Sequence, residues 1–414
     1  MPEALIIDAC RTPRGIGKVG KGSLAHLHPQ RLGATVLAAI QERNDLDTAD
    51  VDDIIWGTST QRGKQGNDLG RMAALEAGYD VRSSGVTLDR FCGSGITTVN
   101  MAAAQIMSGM EQVVVAGGTE MMSHAASIAV PGEPQVLDSG NLTLRAKHPQ
   151  SHQGVCADAI ATLEGIDRET ADALALVSQQ RAAKAMEEGR FDGSLIPVKN
   201  DDGSVALSRD EFPRPSTTME ALSGLRPFFE AFVDVPIGEA GETYGSQITD
   251  VYPQLKDGMN HIHHAGNSSG VVDGAAALLL ASEDYASSSG LTPRARIVAT
   301  ANMGDCPTLM LNAPVPSAQK ALRIAGLTVD DIDVFEINEA FAVVAEKFIR
   351  DLNLDREKVN INGGAIALGH PIGATGSILI GTALDELERS GGRYALITMC
   401  AAGGMAPAVI IERL

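Results

Sequence analysis

The sequence predicts an α/β fold in which a parallel or mixed sheet is covered by helices on both faces. Two observations predict it. Short runs without polar alternation, at residues 4–8, 51–57, 112–116 and 395–399, alternate with stretches of helical composition. Strands that are apolar on both sides need a helical layer above and below. The second observation is an internal repeat. Residues 86–107 followed by 112–118 read strand, Gly-rich turn, helix, apolar strand, Gly-Gly, and residues 359–389 followed by 395–404 give the same order. Residues 51–57 likewise resemble 330–337. Two similar halves packed about a pseudo-twofold axis would bring the Gly-rich turns together near the middle. Cys92, His370 and Cys400 would then share one cleft.

Each element has a local reason. The run at 4–8 (ALIID) is a strand stopped by Arg11-Thr12-Pro13, and 29–42 reads as a helix. Residues 51–57 form a strand after an acidic lead-in, and 69–77 a helix. The strand 86–88 leads into Cys92, a tight turn at Gly93 to Gly95, and a helix over 96–107 (ITTVNMAAAQIM), rich in helix formers. Cys92 thus lies where a strand ends and a helix begins. The unpaired N–H groups there carry partial positive charge, which would lower the thiol's pKa and supply donors to an acyl oxygen. On this stretch alone Cys92 is either a nucleophile or a buried free thiol. From 121 to 266 the chain turns polar, with one long helix over 168–188 and loops broken at Pro213, Pro215, Pro227, Pro236 and Pro253. This reads as an insertion over the core, a usual place for a substrate-binding lid. An apolar element at 273–281 and a linker at 287–292 precede the second half. That half has strands at 295–301, 334–337 and 395–399, and helices at 317–325, 340–352 and 377–389. A Gly-rich run spans 362–376, and 408–414 closes the chain.

The 414 residues suffice for two or three domains, and 44% apolar with 21% charged residues is ordinary globular composition. A formal charge of −19 argues against a nucleic-acid or anionic-membrane surface, so an anionic ligand needs a local cationic patch. The first residues (MPEALIIDAC) read as a strand and not as a signal peptide, and no apolar run approaches the roughly 20 residues of a membrane span. Five cysteines, odd in number, widely spaced and without metal-type pairs, fit free thiols in a reducing cytoplasm.

Four stretches then fall into a known order. They are Cys92-Gly93-Ser94-Gly95, Asn338-Glu339-Ala340-Phe341, Gly369-His370-Pro371-Ile372-Gly373 and Cys400-Ala401-Ala402-Gly403-Gly404. With flanking matches such as Gly117-Gly118-Thr119-Glu120-Met121-Met122-Ser123 and Ala265-Gly266-Asn267, the sequence resembles the thiolase family along nearly its whole length. The resemblance implies five layers, α-β-α-β-α, from two similar halves: residues 1–285, carrying a loop domain at about 121–266, and residues 286–414. It implies acyl transfer between CoA thioesters, with CoA as substrate and no further cofactor. Cys92 would attack the keto carbon of a 3-ketoacyl-CoA, and Cys400 would protonate the departing acetyl-CoA enolate. His370 would take the Cys92 proton and donate to a thioester oxygen. Asn338 would hold a water at that oxygen site, unless it only caps the following helix. The N–H groups of Cys92 and Ala402 would make a second oxyanion hole. Ser269, Ala340 and Phe341 would line the pantetheine and acyl site, with Arg226 near the nucleotide or else a solvated surface arginine. The family further implies a homodimer or homotetramer, a role such as fatty acid β-oxidation in the cytoplasm, and in some members a hydratase–dehydrogenase partner.

Three features depart from the family's pattern. Ala402 and Ala406 replace glycines, and alanine tolerates positive φ poorly, so the second oxyanion hole is expected to differ in shape. Residues 228–264 look like an insertion of about two dozen residues, expected to alter the substrate rim or an oligomer contact. Within it, His261, His263 and His264 suggest metal ligands, but two are adjacent and no cysteine lies near, so solvent-facing or supporting histidines are expected and no metal site. Two other readings compete: a decarboxylating condensing enzyme of the ketosynthase kind, which uses two histidines, and a non-catalytic acyl-CoA-binding protein. The second cysteine, Cys400, speaks against the former, and the presence of all three reactive side chains against the latter.

Overall fold

The computed structural model describes residues 2–130, 132, 136–238 and 241–414. Among them ten strands form one mixed sheet, nine in the order β7-β8-β9-β6-β1-β5-β4-β2-β3. These are β1 (Ala4–Arg11), β2 (Asp53–Gly57), β3 (Val86–Leu88), β4 (Val113–Met121), β5 (Val272–Ser282), β6 (Ala295–Gly304), β7 (Val334–Ile337), β8 (Tyr394–Thr398) and β9 (Met405–Arg413). The tenth, Gly15–Ile16, pairs with the start of β5.

The repeat is written in the pairing. In the first half β1 runs antiparallel to β5, β5 antiparallel to β4, β4 parallel to β2, and β2 parallel to β3. In the second half β6 runs antiparallel to β9, β9 antiparallel to β8, and β8 parallel to β7. A single parallel bridge from Phe335 to Val359 stands where β3 stands in the first half. The half-sheets join along β1 and β6, at Leu5–Arg296 and Ile6–Ala295.

Side chains alternate between two cores as the pleat requires. Leu5 and Ile7 of β1 face α1 (Pro29–Asn44) and α2 (Leu69–Glu76). Ala4 and Ile6 face the opposite side, where α3 (Ser94–Ser108) packs. Ala395 and Ile397 of β8 meet the same central layer, with α8 (Ile372–Ser390), from the other half. Leu396 turns outward with Phe335 and Ile337, toward α6 (Pro314–Ala325) and α7 (Ala342–Leu352). Five layers result, with α3 and α8 buried between two half-sheets.

The central crossing explains two differences from the expected elements. Gly95 and the glycines of the 362–376 run read as turn residues, yet Gly95 lies inside α3, and Gly373 and Gly376 lie inside α8. They permit close approach. A Cβ on Gly95 would meet the backbone of Ser377 at 2.7 Å, and one on Gly376 would run into the backbone N of Ile96. The linker reading at 287–292 is also shortened, because a helix capped by Ser282 covers Glu283–Ser288. The helix predicted to start at 340 starts at Ala342, after Phe341 in extended conformation.

Between β4 and β5 lies the loop segment, built on α4 (Gln153–Leu163) and α5 (Arg168–Glu187). Asp167 caps α5 by accepting from the Thr170 N–H. Both helices share a core with Phe341, Val343 and Val344 of the second half. Described residues of the 228–264 segment, among them Ile237, Ile248, Leu255 and Ile262, pack into this core, with a helix at Tyr244–Thr249.

Candidate active site

Cys92 sits on a braced turn between β3 and α3. Asp89 accepts the Phe91 N–H at 2.6 Å, Ser94 Oγ accepts the Arg90 N–H at 2.8 Å, and the same hydroxyl donates to the Phe91 carbonyl at 2.7 Å. Phe91 is held at φ +49°, the left-handed region that a bulky residue enters only under constraint. The adjoining Gly93 packs on the Cys400 turn: a Cβ there would lie 2.8 Å from Pro407 and 3.3 Å from Ala401. The turns that carry Cys92 and Cys400 are thus in contact.

The Cys92 thiol is not acidified, contrary to the expectation from its place before a helix. Burial and the Glu120 carboxylate, with a smaller contribution from Asp89, push it up to about 12, against its own N–H and that of Ala402, which favour the thiolate. Cys92 precedes the N-cap residue Gly93, so the helix terminus acts on it only partly. Cys400 is almost fully buried, and its thiol is likewise raised, first by burial and then by the nearby Cys92.

His370 stands two residues before α8, its N–H donating to the Gly270 carbonyl at 2.9 Å. Burial, then the positive charge of Arg14, lower it to about 3, so the ring is neutral at physiological pH. Nδ1 lies 2.6 Å from Thr375 Oγ1, and that hydroxyl donates to the Pro371 carbonyl at 2.9 Å. Nδ1 therefore carries the proton by this network. Nε2 is left as the basic nitrogen, 3.4 Å from Asn338 Nδ2. Asn338 does not cap α7. It is fully buried, and its Oδ1 lacks a protein partner.

The alanines of the second-cysteine motif cause no distortion. Neither Ala402 nor Ala406 has positive φ; Gly403 and Gly404 take it instead, each at +78°. The expected change of shape at the Ala402 N–H therefore finds no backbone cause.

The residues proposed for substrate contact separate into two sets. Ala340 and Phe341 are buried, Ser269 N–H donates to the Ala340 carbonyl at 3.0 Å, and Ser268 bridges to Phe341. Arg226 lies apart, on the exposed loop after the short helix Met219–Ser223. The 228–264 segment reaches the first set. Phe229 packs edge-on to Phe341 with centroids 5.5 Å apart, and His152 of the loop segment stacks on Phe232 at 4.4 Å.

His263 and His264 are not solvent-facing. His261 and His263 both contact Asp158 through Nδ1, at 2.8 and 2.7 Å, and His264 Nε2 contacts Asp172 at 2.9 Å. Asp158 and Asp172 lie on α4 and α5 and are fully buried, so each needs these donors. The histidines fasten the segment to the two helices. Among the described residues no cluster of three or more His, Cys, Asp or Glu has a metal-binding arrangement.

Two residues near the site escaped the sequence reading. Thr375 was hidden in a Gly-rich run, although its i+5 spacing from His370 is visible there. Glu120 lay in a motif with no assigned part, and its partners are far away in the chain.

Comparison with known proteins agrees with this geometry. The family model described as "Thiolase, N-terminal domain" matches residues 4–250, and "Thiolase, C-terminal domain" matches 291–413. The chain is 41% identical to the 3-oxoadipyl-CoA/3-oxo-5,6-dehydrosuberyl-CoA thiolase of Escherichia coli, covering 100% of both chains. It is 39% identical to the steroid 3-ketoacyl-CoA thiolase FadA6 of Mycobacterium tuberculosis, covering 100% of this chain and 95% of the relative. Its fold is similar to the crystal structure of the Bacillus anthracis acetyl-CoA acetyltransferase, with TM-score 0.82 and 34% identity over 100% of this chain and 99% of that one.

Proposed function

The chain belongs to the thiolase family of acyltransferases, and on that premise we propose that Cys92, His370, Cys400 and Asn338 carry thiolysis of 3-ketoacyl-CoA. The Cys92 proton passes to His370 Nε2, and the thiolate attacks the keto carbon. The C2–C3 bond breaks, leaving an acyl thioester on Cys92 and the enolate of acetyl-CoA. The Cys400 thiol protonates that enolate at C2. The resulting Cys400 thiolate then deprotonates incoming CoA, whose sulfur takes the acyl group. Cys92 leaves as thiolate and recovers its proton from His370. The sum is 3-ketoacyl-CoA plus CoA giving acyl-CoA plus acetyl-CoA, and the reverse is a Claisen condensation.

The observation that carries the assignment is the contact between the two cysteine turns beside a neutral, Nδ1-anchored histidine. A raised Cys92 pKa suits this scheme, because the thiolate forms only when His370 takes its proton in the presence of substrate. The N–H groups of Cys92 and Ala402 both favour a negative charge at the Cys92 sulfur, so they lie close to where an acyl oxygen would develop charge. His370 Nε2–H and a water on the unpartnered Asn338 Oδ1 would serve the other oxygen, that of the acetyl thioester.

The reading extends to the surroundings. Ala340, Phe341 and Ser269 would flank the pantetheine arm, with Arg226 at the nucleotide end. CoA acts as substrate and no further cofactor is used. Residues 1–285 and 286–414 would be the two halves of each protomer in a cytoplasmic homodimer or homotetramer, and the edge strand β3 with its exposed Val86 supports an isologous contact. Among the described residues no helix is long and apolar enough to cross a membrane. Relatives named for dicarboxylic, steroid and acetyl substrates stand at 39–41% identity, so identity does not choose the acyl group. The aromatic wall of Phe229, Phe232 and His152 favours a 3-ketoacyl chain longer than acetoacetyl, as in fatty acid β-oxidation or ring degradation.

The test is cleavage of 3-ketoacyl-CoAs of increasing length, and of ring-bearing ones, followed as loss of enolate absorbance. Rates rising from acetoacetyl to longer or cyclic substrates are expected. A strict preference for acetoacetyl-CoA would overturn the substrate reading, and no cleavage of any of them the reaction itself.

A further inference from the structure

Glu120 is fully buried and sits at the end of β4 among four N–H donors. One oxygen accepts the Ser59 N–H at 2.8 Å and the Gly373 N–H at 2.9 Å. The other accepts the Thr60 N–H at 3.1 Å and Gln65 Nε2 at 2.9 Å. Among the described residues no Lys or Arg forms an ion pair with it. Four donors and the N-terminus of a 19-residue helix replace a counter-ion.

The donors come from both halves. Ser59, Thr60 and Gln65 follow β2, while Gly373 opens α8 three residues after His370. The backbones are in contact there: a Cβ on Gly373 would meet Thr58 Cα at 2.5 Å, and one on Gly118 would overlap the Gly373 carbonyl. The carboxylate therefore holds the helix that presents His370 against the half that presents Cys92. Its own place in the first half corresponds to that of Cys400 in the second. Gly57 pairs with Gly118 as Ile337 pairs with Thr398 at the corresponding ends of β2 and β7, which puts Glu120 and Cys400 two residues beyond equivalent points.

Building on the thiolase reading, we propose that Glu120 is a positioning residue: its carboxylate clamps the start of α8 to the Ser59–Thr60 turn and so sets His370 against Cys92. The same anion keeps Cys92 protonated until substrate arrives. The other titratable groups near Cys92 are Asp89, which shares the sign of Glu120, Arg90, two residues away and of opposite sign, and the Cys400 thiol. Glu120 and Gln65 are fully buried, so loss of the clamp is expected to act on turnover and not on binding.

The test uses the full chain with Glu120→Gln, Glu120→Asp and Gln65→Met. Thiolysis is measured in the steady state, and inactivation by iodoacetamide between pH 7 and 10 reports Cys92 directly, without turnover. Glu120→Gln is expected to lower kcat about 30-fold with KM within about twofold, the size of a misplaced catalytic group. Its alkylation profile should move to lower pH, because an anion beside the thiol is gone. Glu120→Asp should fall between wild type and Gln, and Gln65→Met, which removes one donor, should lower kcat about threefold. If Glu120→Gln does not fold, Gln65→Met decides on kcat alone. Wild-type kcat in a folded Glu120→Gln, or in Gln65→Met where that variant decides, overturns the proposal; so does an alkylation profile unmoved in Glu120→Gln. Absence of thiolysis by wild type would instead overturn the underlying reading, and the alkylation profiles would still judge the anion's effect on Cys92.

Discussion

The two halves of the molecule run through the same strand pairings and place different chemistry at the same points. Where the first half has Cys92 between β3 and α3, the second has His370 before α8. Where the second half has Cys400 after β8, the first has Glu120 at the end of β4. The second half contributes three of the four side chains proposed for catalysis, and Asn338 is one of them. The first contributes the proposed nucleophile, Cys92, and the Glu120 carboxylate bonded across to the Gly373 N–H of the other half. The two frames are alike, and the proposed division of labour lies at the ends of the strands and in the turns that follow them.

The comparison is broken most severely at Cys92. Cys92→Ser should lower kcat by about 1,000-fold or more, because an alkoxide forms far less readily than a thiolate and leaves the acyl enzyme poorly. Mass spectrometry after mixing with acyl-CoA should show an acyl adduct on wild type and none on the variant. An adduct on another residue would end the assignment of roles between the halves. Cys400→Ala separates the two frames more finely. The variant should still acylate Cys92 from acyl-CoA, since the CoA thiolate leaves with little help from the Cys400 proton, while cleavage of 3-ketoacyl-CoA falls about 100-fold because the enolate carbon is left without its proton donor. Equal loss of both reactions would mean that Cys400 supports Cys92 and has no separate task.

A smaller effect is expected at Thr375. Thr375→Val removes the acceptor of His370 Nδ1–H at 2.6 Å and frees the ring to turn or change tautomer. kcat should fall about tenfold with KM unchanged, and Thr375→Ser should restore it. With the hydroxyl intact the ring is neutral from about pH 4 upward, because its pKa of about 3 leaves it deprotonated above that value. The pH dependence of kcat/KM between 6 and 8 should therefore show no histidine ionisation of the free enzyme. An inflection near 6.5 would contradict the burial described for this site.

What the sequence disclosed and what it concealed follow physical lines. Cys92 was singled out by its place between a strand and a helix, and His370 and Cys400 by the motifs of the family resemblance. The five layers were legible from the family resemblance, and the repeat from its order of elements. The start of α8 was not, because Gly373 and Gly376 look like breakers and serve instead a helix crossing visible only in three dimensions. The direction of the Cys92 shift was misjudged, since the local argument counted the helix terminus but not burial or a carboxylate 28 positions along the chain. Glu120 bonds Ser59 and Gly373, 61 and 253 residues away, and no local pattern encodes such partners. His263 and His264 read as either solvent-facing or supporting, and the sequence could not choose, because the buried Asp158 and Asp172 that draw them in belong to other helices.

The rim offers the last comparison, between a half-buried aromatic wall and an exposed arginine. Phe232 stacks on His152 and belongs to the inserted segment, so Phe232→Ala should shift the ratio of kcat/KM for long over short 3-ketoacyl-CoAs by about three- to fivefold, with the short substrate least affected. Arg226 is exposed on the loop that leads into that segment. A solvated guanidinium meeting a phosphate across water contributes about 0–1 kcal/mol and is screened at a Debye length of about 8 Å under physiological salt. Arg226→Ala should accordingly raise KM for CoA about twofold at low ionic strength, by less at 0.5 M salt, and leave kcat alone. A salt-independent effect would place Arg226 in a closed contact with the nucleotide, with the 228–264 segment moving to cover it. No effect at either salt would leave the arginine as surface only, and the phosphates of CoA would then be sought by another cation of this strongly acidic chain.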